Sequence, residues 1–292
     1  MQNSENPSAA AGLPPGTLKY IGEERTHEVS VTVIQFDDRS VNQEIPEDIR
    51  DCYECKTSER VSWINVDGVY DIAKVKALGA FFDLHPLLLE DIVDTEQRPK
   101  VDFYEGLTIV ILRMLYYRGD ESEIYEEQIS LVQGENFLIS FQESPGDVFD
   151  NIRQRLDRHP RGKLRNSGAA YLCYAMMDSI VDNYFIVMEK IARNLEDLEH
   201  EIIRLRAPRD PTTQLYELKQ KLTSLRKAVR PLREIVQHLI RQDKKSAEDR
   251  KMYLRDLYDH VVQVTDNVES YLDMTKHLLD LYLSVISNKT TM

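Results

Sequence analysis

No run of eighteen uncharged apolar residues occurs in the 292-residue chain, so the sequence predicts no segment here that crosses a bilayer. The longest apolar stretch, residues 107–117, is interrupted by Arg113 and is typical of a buried strand. The N-terminus lacks the basic-then-apolar pattern of a secretory signal, and we expect residues 1–15 to form a disordered tail.

Cysteine is scarce, with three residues, Cys52, Cys55 and Cys173. Three thiols provide no disulfide framework. Cys52 and Cys55 form a single CxxC pair, without the second ligand pair of a zinc site or the βαβ context of a thioredoxin-like site. A reducing cytosol is the simplest compartment for such a chain.

Positive charge is also in deficit. The chain has 37 Lys and Arg against 50 Asp and Glu, a formal net charge of -13. This balance argues against a general nucleic-acid binder, which needs a basic surface to neutralise phosphates. A Gly-rich phosphate loop, HExxH and GxSxG are all absent from the sequence, so we expect that the protein is not an enzyme.

Residues 16–160 combine strand and helix patterns, which predict an α+β or α/β domain with a mixed, partly antiparallel sheet flanked by helices. A helical stripe covers residues 71–82, and Pro145 lies near the start of a further helix. β-Branched and alternating segments predict strands at residues 29–36, 61–66, 107–117, 127–132 and 136–142.

Strand patterns disappear from the rest of the chain. Residues 161–245 predict a long helical hairpin, with one helix ending near residue 206 and a second bent at Pro231. Residues 246–292 predict one very long stalk helix, roughly 60–65 Å in length. Helices of this length usually form a coiled coil, a stalk or a bundle between subunits.

Aspartates recur every seven residues on the last helix, at Asp259, Asp266, Asp273 and Asp280. They lie along one slowly drifting stripe beside an apolar seam. One interpretation is a solvated helix face. The other is that identical helices surround an axis, so that each aspartate becomes a ring that attracts cations. Periodicity alone leaves both open. The seam is predicted to contain Leu257, Val261, Val264, Val268, Leu272, Leu279 and Leu283.

Several motifs lie in the same order as in one known family. Residues 85–101, HPLLLEDIVDTEQRPKV, closely resemble a segment of CorA-type magnesium/cobalt transporters. Together the matches extend along nearly the whole chain. The remaining ones are GLPPGTL at 12–18, EQISL at 127–131, FQESPGDVF at 141–149, RPLRE at 230–234, RDLYDH at 255–260, LLDLYLS at 278–284 and SNKT at 287–290.

The resemblance implies a cytoplasmic, cation-sensing domain of a channel that assembles as a homopentamer in the plasma or inner membrane. Its expected cargo is Mg²⁺, with Co²⁺ and Ni²⁺ also accepted; related proteins move Zn²⁺. The family's Gly-Met-Asn motif closes its first transmembrane helix, and this chain ends before it, at Thr291 and Met292. We therefore expect the membrane-spanning segments, through which the full-length protein contacts the membrane, to be missing from this portion.

The resemblance also implies ligands for divalent cations. Asp91 of one subunit and Asp256 of the next match the family's intersubunit site, and Glu90 and Asp178 match a looser site nearby. His260 lies one helical turn after Asp256 and suits a softer ion such as Co²⁺.

Asp280 matches an acidic position that lines the pore near the membrane. Alternatives from other classes are a soluble coiled-coil scaffold that binds a partner through its hairpin, and the same fold in a Zn²⁺ transporter. The scaffold explains the long helices but not the ordered run of motifs.

Overall fold

The structure, a computed structural model, describes residues 14–22, 27–119, 123–204, 211–242 and 248–290. Most of the predicted tail, Thr291, Met292 and the predicted end of the first long helix near residue 206 lie outside these ranges. The chain forms two compact units. The first comprises residues 1–114 and 126–179, and the second comprises residues 115–125 and 180–292.

One mixed sheet of seven strands organises the first unit, which confirms the predicted fold class. The strands are β1 (Ser30–Phe36), β2 (Val41–Glu44), β3 (Val61–Asp67), β4 (Lys100–Tyr104), β5 (Leu107–Tyr116), β6 (Tyr125–Gln133) and β7 (Phe137–Gln142). Their order in the sheet is β2-β1-β3-β7-β6-β5-β4. β3 pairs with β7 in parallel, whereas β1–β2, β1–β3, β4–β5 and β6–β7 are antiparallel.

The two central strands are almost wholly buried because both faces of the sheet are covered. Buried polar side chains of these two strands are linked by successive hydrogen bonds. The Trp63 indole Nε1 donates to Ser140 Oγ at 2.8 Å, and the Ser140 hydroxyl donates to Asn65 Oδ1 at 2.6 Å. Asn65 Nδ2 in turn donates to Asp67 Oδ1 at 2.9 Å. This relay fixes the side chains of β3 against those of β7.

Short helices cover the sheet, and one of them, α3 (Pro86–Val93), carries the acidic pair Glu90–Asp91 considered below. The Asp71 carboxylate caps the first turn of α2 by accepting the Lys74 amide at 3.1 Å. Pro86 begins α3, where its missing amide hydrogen costs nothing. The helices are a 3-10 helix (Ile49–Tyr53), α1 (Glu54–Thr57), α2 (Ile72–Phe81), α3 (Pro86–Val93), α4 (Asp150–Arg158) and α5 (Lys163–Asn166).

Long helices form most of the second unit: α7 (Pro211–Val229), α8 (Leu232–Gln242), α9 (Glu248–Thr290) and the C-terminal part of α6 (Gly168–Ile203). The bend expected at Pro231 is instead a break between α7 and α8, because proline lacks an amide hydrogen and clashes with the preceding turn. Both α7 and α8 pack against α9. Across the described residues, no helix is both long and apolar enough to cross a membrane.

The apolar seam of α9 differs from the predicted one at its C-terminal end. Leu257, Val261, Val264, Val268 and Leu272 are buried as expected. Beyond them, Thr275 and Leu278 continue the buried face, whereas Leu279 and Leu283 are exposed. A straight helix drifts about 20° per heptad against a seven-residue repeat, so the residues that meet α7 shift along the sequence.

Candidate cation-binding site

The acidic pair Glu90–Asp91 lies on α3, and the packing of that helix determines where the two carboxylates lie. Leu88, Leu89 and Ile92 are buried in the core of the first unit. Glu90 and Asp91 fall between these positions and are partly exposed. The pair therefore lies at the edge of an anchored helix.

Asp91 is already engaged by a cation of the protein itself. Lys100 Nζ, at the start of β4, lies 2.6 Å from Asp91 Oδ2 and 3.3 Å from Asp102 Oδ2. Burial raises the pKa of Asp91, and the adjacent ammonium of Lys100 opposes that rise without cancelling it. Burial alone lowers the pKa of Lys100, but the hydrogen bond and charge of Asp91 raise it overall. The amine is therefore firmly protonated.

Backbone contacts hold the acidic pair from two sides. The Gly16 amide donates to Glu90 Oε2 at 2.6 Å, which ties the N-terminal segment to α3. Gln128 Nε2 donates to the Asp91 carbonyl at 3.0 Å, which ties the same turn of α3 to β6. The backbone of α3 is thus fixed, while the Asp91 carboxylate faces a movable partner.

The second unit contributes a different donor set. Ligand atoms of Asp182, on α6, and His260, on α9, lie within 4.8 Å of each other. Phe185 contacts the His260 ring edge-on at 6.1 Å between centroids. A carboxylate and an imidazole together suit Co²⁺, Ni²⁺ or Zn²⁺ better than Mg²⁺, which prefers oxygen ligands alone.

Asp182 is the candidate ligand that sequence reasoning missed. It follows the predicted ligand Asp178 by four residues on α6, so that the two carboxylates lie on the same helix face. That spacing was readable from the sequence.

The remaining predicted ligands on α9 are exposed. Asp256 lies one turn before His260, and Asp280 lies near the C-terminal end of the helix. The seven-spaced aspartates Asp259, Asp266, Asp273 and Asp280 are likewise exposed on the single chain. Glu90, Asp91 and Asp178 belong to the first unit, whereas Asp256, His260 and Asp280 belong to the second.

Comparison with known proteins places the chain in a family. The model of the "CorA-like Mg2+ transporter protein" family matches residues 58–291. The chain belongs to the CorA-like family. A CorA-like relative, the cobalt/magnesium transport protein CorA of Thermotoga maritima, is 39% identical over 284 residues, which cover 97% of this chain and 80% of that protein. The putative metal ion transporter YfjQ of Bacillus subtilis is 31% identical over 78% of this chain and 69% of its own length.

Solved structures of the CorA-like fold are similar despite low identity. The soluble domain of CorA from Methanocaldococcus jannaschii aligns with a TM-score of 0.69 at 16% identity, over 88% of this chain and 97% of that one. Full-length CmaX aligns with a TM-score of 0.75 at 16% identity, over 92% of this chain and 81% of that one. The cytoplasmic domain of ZntB from Vibrio parahaemolyticus has a TM-score of 0.69 at 15% identity, over 89% of this chain and 99% of that one. These structures show that the fold of this chain is shared by proteins with only 15–16% sequence identity to it.

Proposed function

We propose that this chain is the cytoplasmic, cation-sensing portion of a divalent-cation transporter that carries Mg²⁺ and accepts Co²⁺ and Ni²⁺. The observation that carries the proposal is the match, along 97% of the chain, to a relative named as a cobalt/magnesium transport protein. In this proposal the full-length protein is a homopentamer in the plasma or inner membrane, and the function is transport rather than catalysis.

The proposed sensor is a cation held between subunits by Asp91 of one and Asp256 of the next. Two facing carboxylates repel each other when the site is empty and attract each other through a bridging divalent ion. Mg²⁺ keeps most of its water shell, so one or two carboxylates per ion are enough. The exposure of Asp256 on α9 supports this role, because its carboxylate is accessible to a second copy of the chain.

Binding at this site biases the assembly between two states. High internal Mg²⁺ holds neighbouring subunits together and closes the pore, while low Mg²⁺ lets them separate. Glu90 and Asp178 form a second, looser acidic site, and Asp280 forms a ring that concentrates hydrated cations near the membrane.

A Zn²⁺ cargo is the second candidate, and the Asp182–His260 pair favours it. Imidazole is a good ligand for Zn²⁺ and a poor one for Mg²⁺. Under this alternative the fold and the assembly are unchanged and the preferred ion differs. The scaffold function has no comparable observation behind it.

The proposal is tested by thermal unfolding of the chain with and without millimolar Mg²⁺ or Co²⁺ at matched ionic strength, beside analytical ultracentrifugation. A ligand at about ten times its Kd stabilises the folded state by about 1.4 kcal/mol, which raises the melting temperature of a chain of this length by roughly 2–3 °C. We expect this rise together with a shift from monomers or incomplete oligomers toward larger species.

Variants test which residues bind the stabilising ion. Asp91→Asn and Asp256→Asn should each lose most of the rise in melting temperature. Asp259 is an exposed aspartate three residues after Asp256 on α9, and Asp259→Asn should keep the rise. Equal stabilisation of all three variants and the unchanged chain would remove Asp91 and Asp256 from the site. A tight pentamer that forms without any divalent ion would contradict the proposed coupling of binding to assembly.

A further inference from the structure

Lys100 is placed so that it shares its charge between two aspartates. Its Nζ lies 2.6 Å from Asp91 Oδ2 and 3.3 Å from Asp102 Oδ2. The Asp91 side chain is 18% exposed, that of Lys100 35% and that of Asp102 39%, so the amine bridges a half-buried acceptor and a more exposed one.

The backbone beneath these side chains is fixed. Lys100 and Asp102 are two residues apart on β4, so their side chains lie on the same face of the sheet. β4 is an edge strand, and its pairing with β5 places Lys100 opposite Ile111 and Asp102 opposite Ile109. The flexible four-carbon stem of the lysine can therefore transfer its ammonium from one carboxylate to the other without any change in the strand.

A divalent ion at Asp91 cannot coexist with the ammonium in this position. A metal ion binds a carboxylate oxygen at about 2.1 Å, so a cation on Asp91 would lie within a few ångströms of Lys100 Nζ. Two cations at that separation, in a half-buried setting, repel each other strongly. The ammonium has to leave Asp91 before the metal ion binds, and Asp102 offers an acceptor already in reach.

We propose that Lys100 is a tethered cation that competes with divalent ions for Asp91, and that Asp102 receives its ammonium when a divalent ion displaces it. This inference rests on the proposed function, because it takes Asp91 to be a ligand of the regulatory ion. Neither Lys100 nor Asp102 is a ligand of the divalent ion in this proposal. Together they set the concentration of divalent cation at which the site at Asp91 is occupied.

The test measures the half-maximal concentration of MgCl₂ or CoCl₂, at which half of the sites of the full chain are filled in a calorimetric titration at matched ionic strength. Removing the amine in Lys100→Met, which keeps a similar apolar stem, should lower that concentration roughly twofold to fivefold, the range expected for loss of one partly exposed ion pair in direct competition. Lys100→Gln, which keeps a neutral hydrogen-bond donor, should shift it in the same direction and guards against misfolding of one variant.

Arg98→Met is the matched control. It removes one positive charge from an exposed side chain two residues away, and it should change the half-maximal concentration less than twofold. Asp102→Asn should raise the half-maximal concentration, because the ammonium then has Asp91 alone as its partner. The same change made in Lys100→Met should have a clearly smaller effect, since no ammonium remains to be relocated.

The outcomes separate the two proposals. One refuting outcome is that Lys100→Met and Arg98→Met shift the half-maximal concentration equally. The other is that Asp102→Asn shifts it equally with and without Lys100. Either result would mean that the lysine acts only through its long-range electrostatic field, and the competition would be refuted. In that case the loss of response in Asp91→Asn would still support the proposed sensor. If Asp91→Asn keeps the full response, the sensor assignment fails and the competition fails with it.

Discussion

Replacing Ser140 by alanine removes one oxygen atom from the centre of the sheet and should destabilise the first unit far more than its size suggests. The Ser140 hydroxyl accepts from Trp63 Nε1 at 2.8 Å and donates to Asn65 Oδ1 at 2.6 Å. Trp63 and Ser140 are 0% exposed and Asn65 is 4% exposed. The substitution therefore leaves a buried donor and a buried acceptor without their partner.

The expected cost follows from these two groups. Each buried polar group that loses its partner costs about 1–3 kcal/mol, so we expect a loss of about 3 kcal/mol in the free energy of unfolding. Rotation of the Asn65 amide brings no relief, because its Nδ2 already donates to Asp67 at 2.9 Å. With a urea dependence of about 2 kcal/mol per molar, the midpoint of unfolding should fall by about 1.5 M.

Trp63 is the only tryptophan of the chain, so its fluorescence during urea unfolding reports on the first unit. Ser30→Ala is the control. It deletes the same atom from an exposed serine that donates to Asp67 at 3.1 Å, and it should cost less than about 1 kcal/mol. Equal shifts in the two variants would show that the buried relay contributes nothing beyond an ordinary hydroxyl group, and the reasoning would be wrong.

Two further predictions concern charge and ion preference. Burial raises the pKa of Asp67 above the ordinary range of an aspartate, so the folded state binds this proton more tightly than the unfolded state does. The stability that Asp67 contributes is therefore full below about pH 4 and declines as pH rises through the raised pKa. Asp67→Asn should flatten that part of the curve of unfolding free energy against pH, and an unchanged slope would contradict the assignment. His260→Ala should reduce the melting-temperature rise caused by Co²⁺ more than the rise caused by Mg²⁺, because Mg²⁺ gains little from imidazole; equal losses for both ions would exclude His260 as a selective ligand.

Local patterns predicted most of the central sheet. The β-branched segment at residues 61–66 forms β3 (Val61–Asp67), and the helical stripe at residues 71–82 forms α2 (Ile72–Phe81). β2 (Val41–Glu44) could not be predicted in this way because it has one apolar residue and is mostly exposed. It exists because β1 offers it an edge to pair with, and that information is not local in the sequence.

The candidate site likewise contains some residues that the sequence could predict and others that only the tertiary structure brings together. Asp91 and Asp256 were assigned through a resemblance, because the periodicity of the sequence does not distinguish them from other aspartates. The contact of Lys100 with Asp91 could not be predicted from the QRPK motif, because it forms only when α3 and β4 pack together. Asp182 differs from both, since its four-residue separation from Asp178 was available without any tertiary structure.

The parallel pairing of β3 with β7 also affects how the protein is made. Asn65 and Ser140, which meet at the centre of the sheet, are 75 positions apart. At about 5–20 residues per second, a ribosome needs roughly 4–15 seconds to add that many residues, and β3 has no partner on that side in the meantime. An unpaired strand edge readily joins other chains, and pairings so distant in sequence form slowly. The order of the strands along the chain therefore sets a period during synthesis in which aggregation competes with folding.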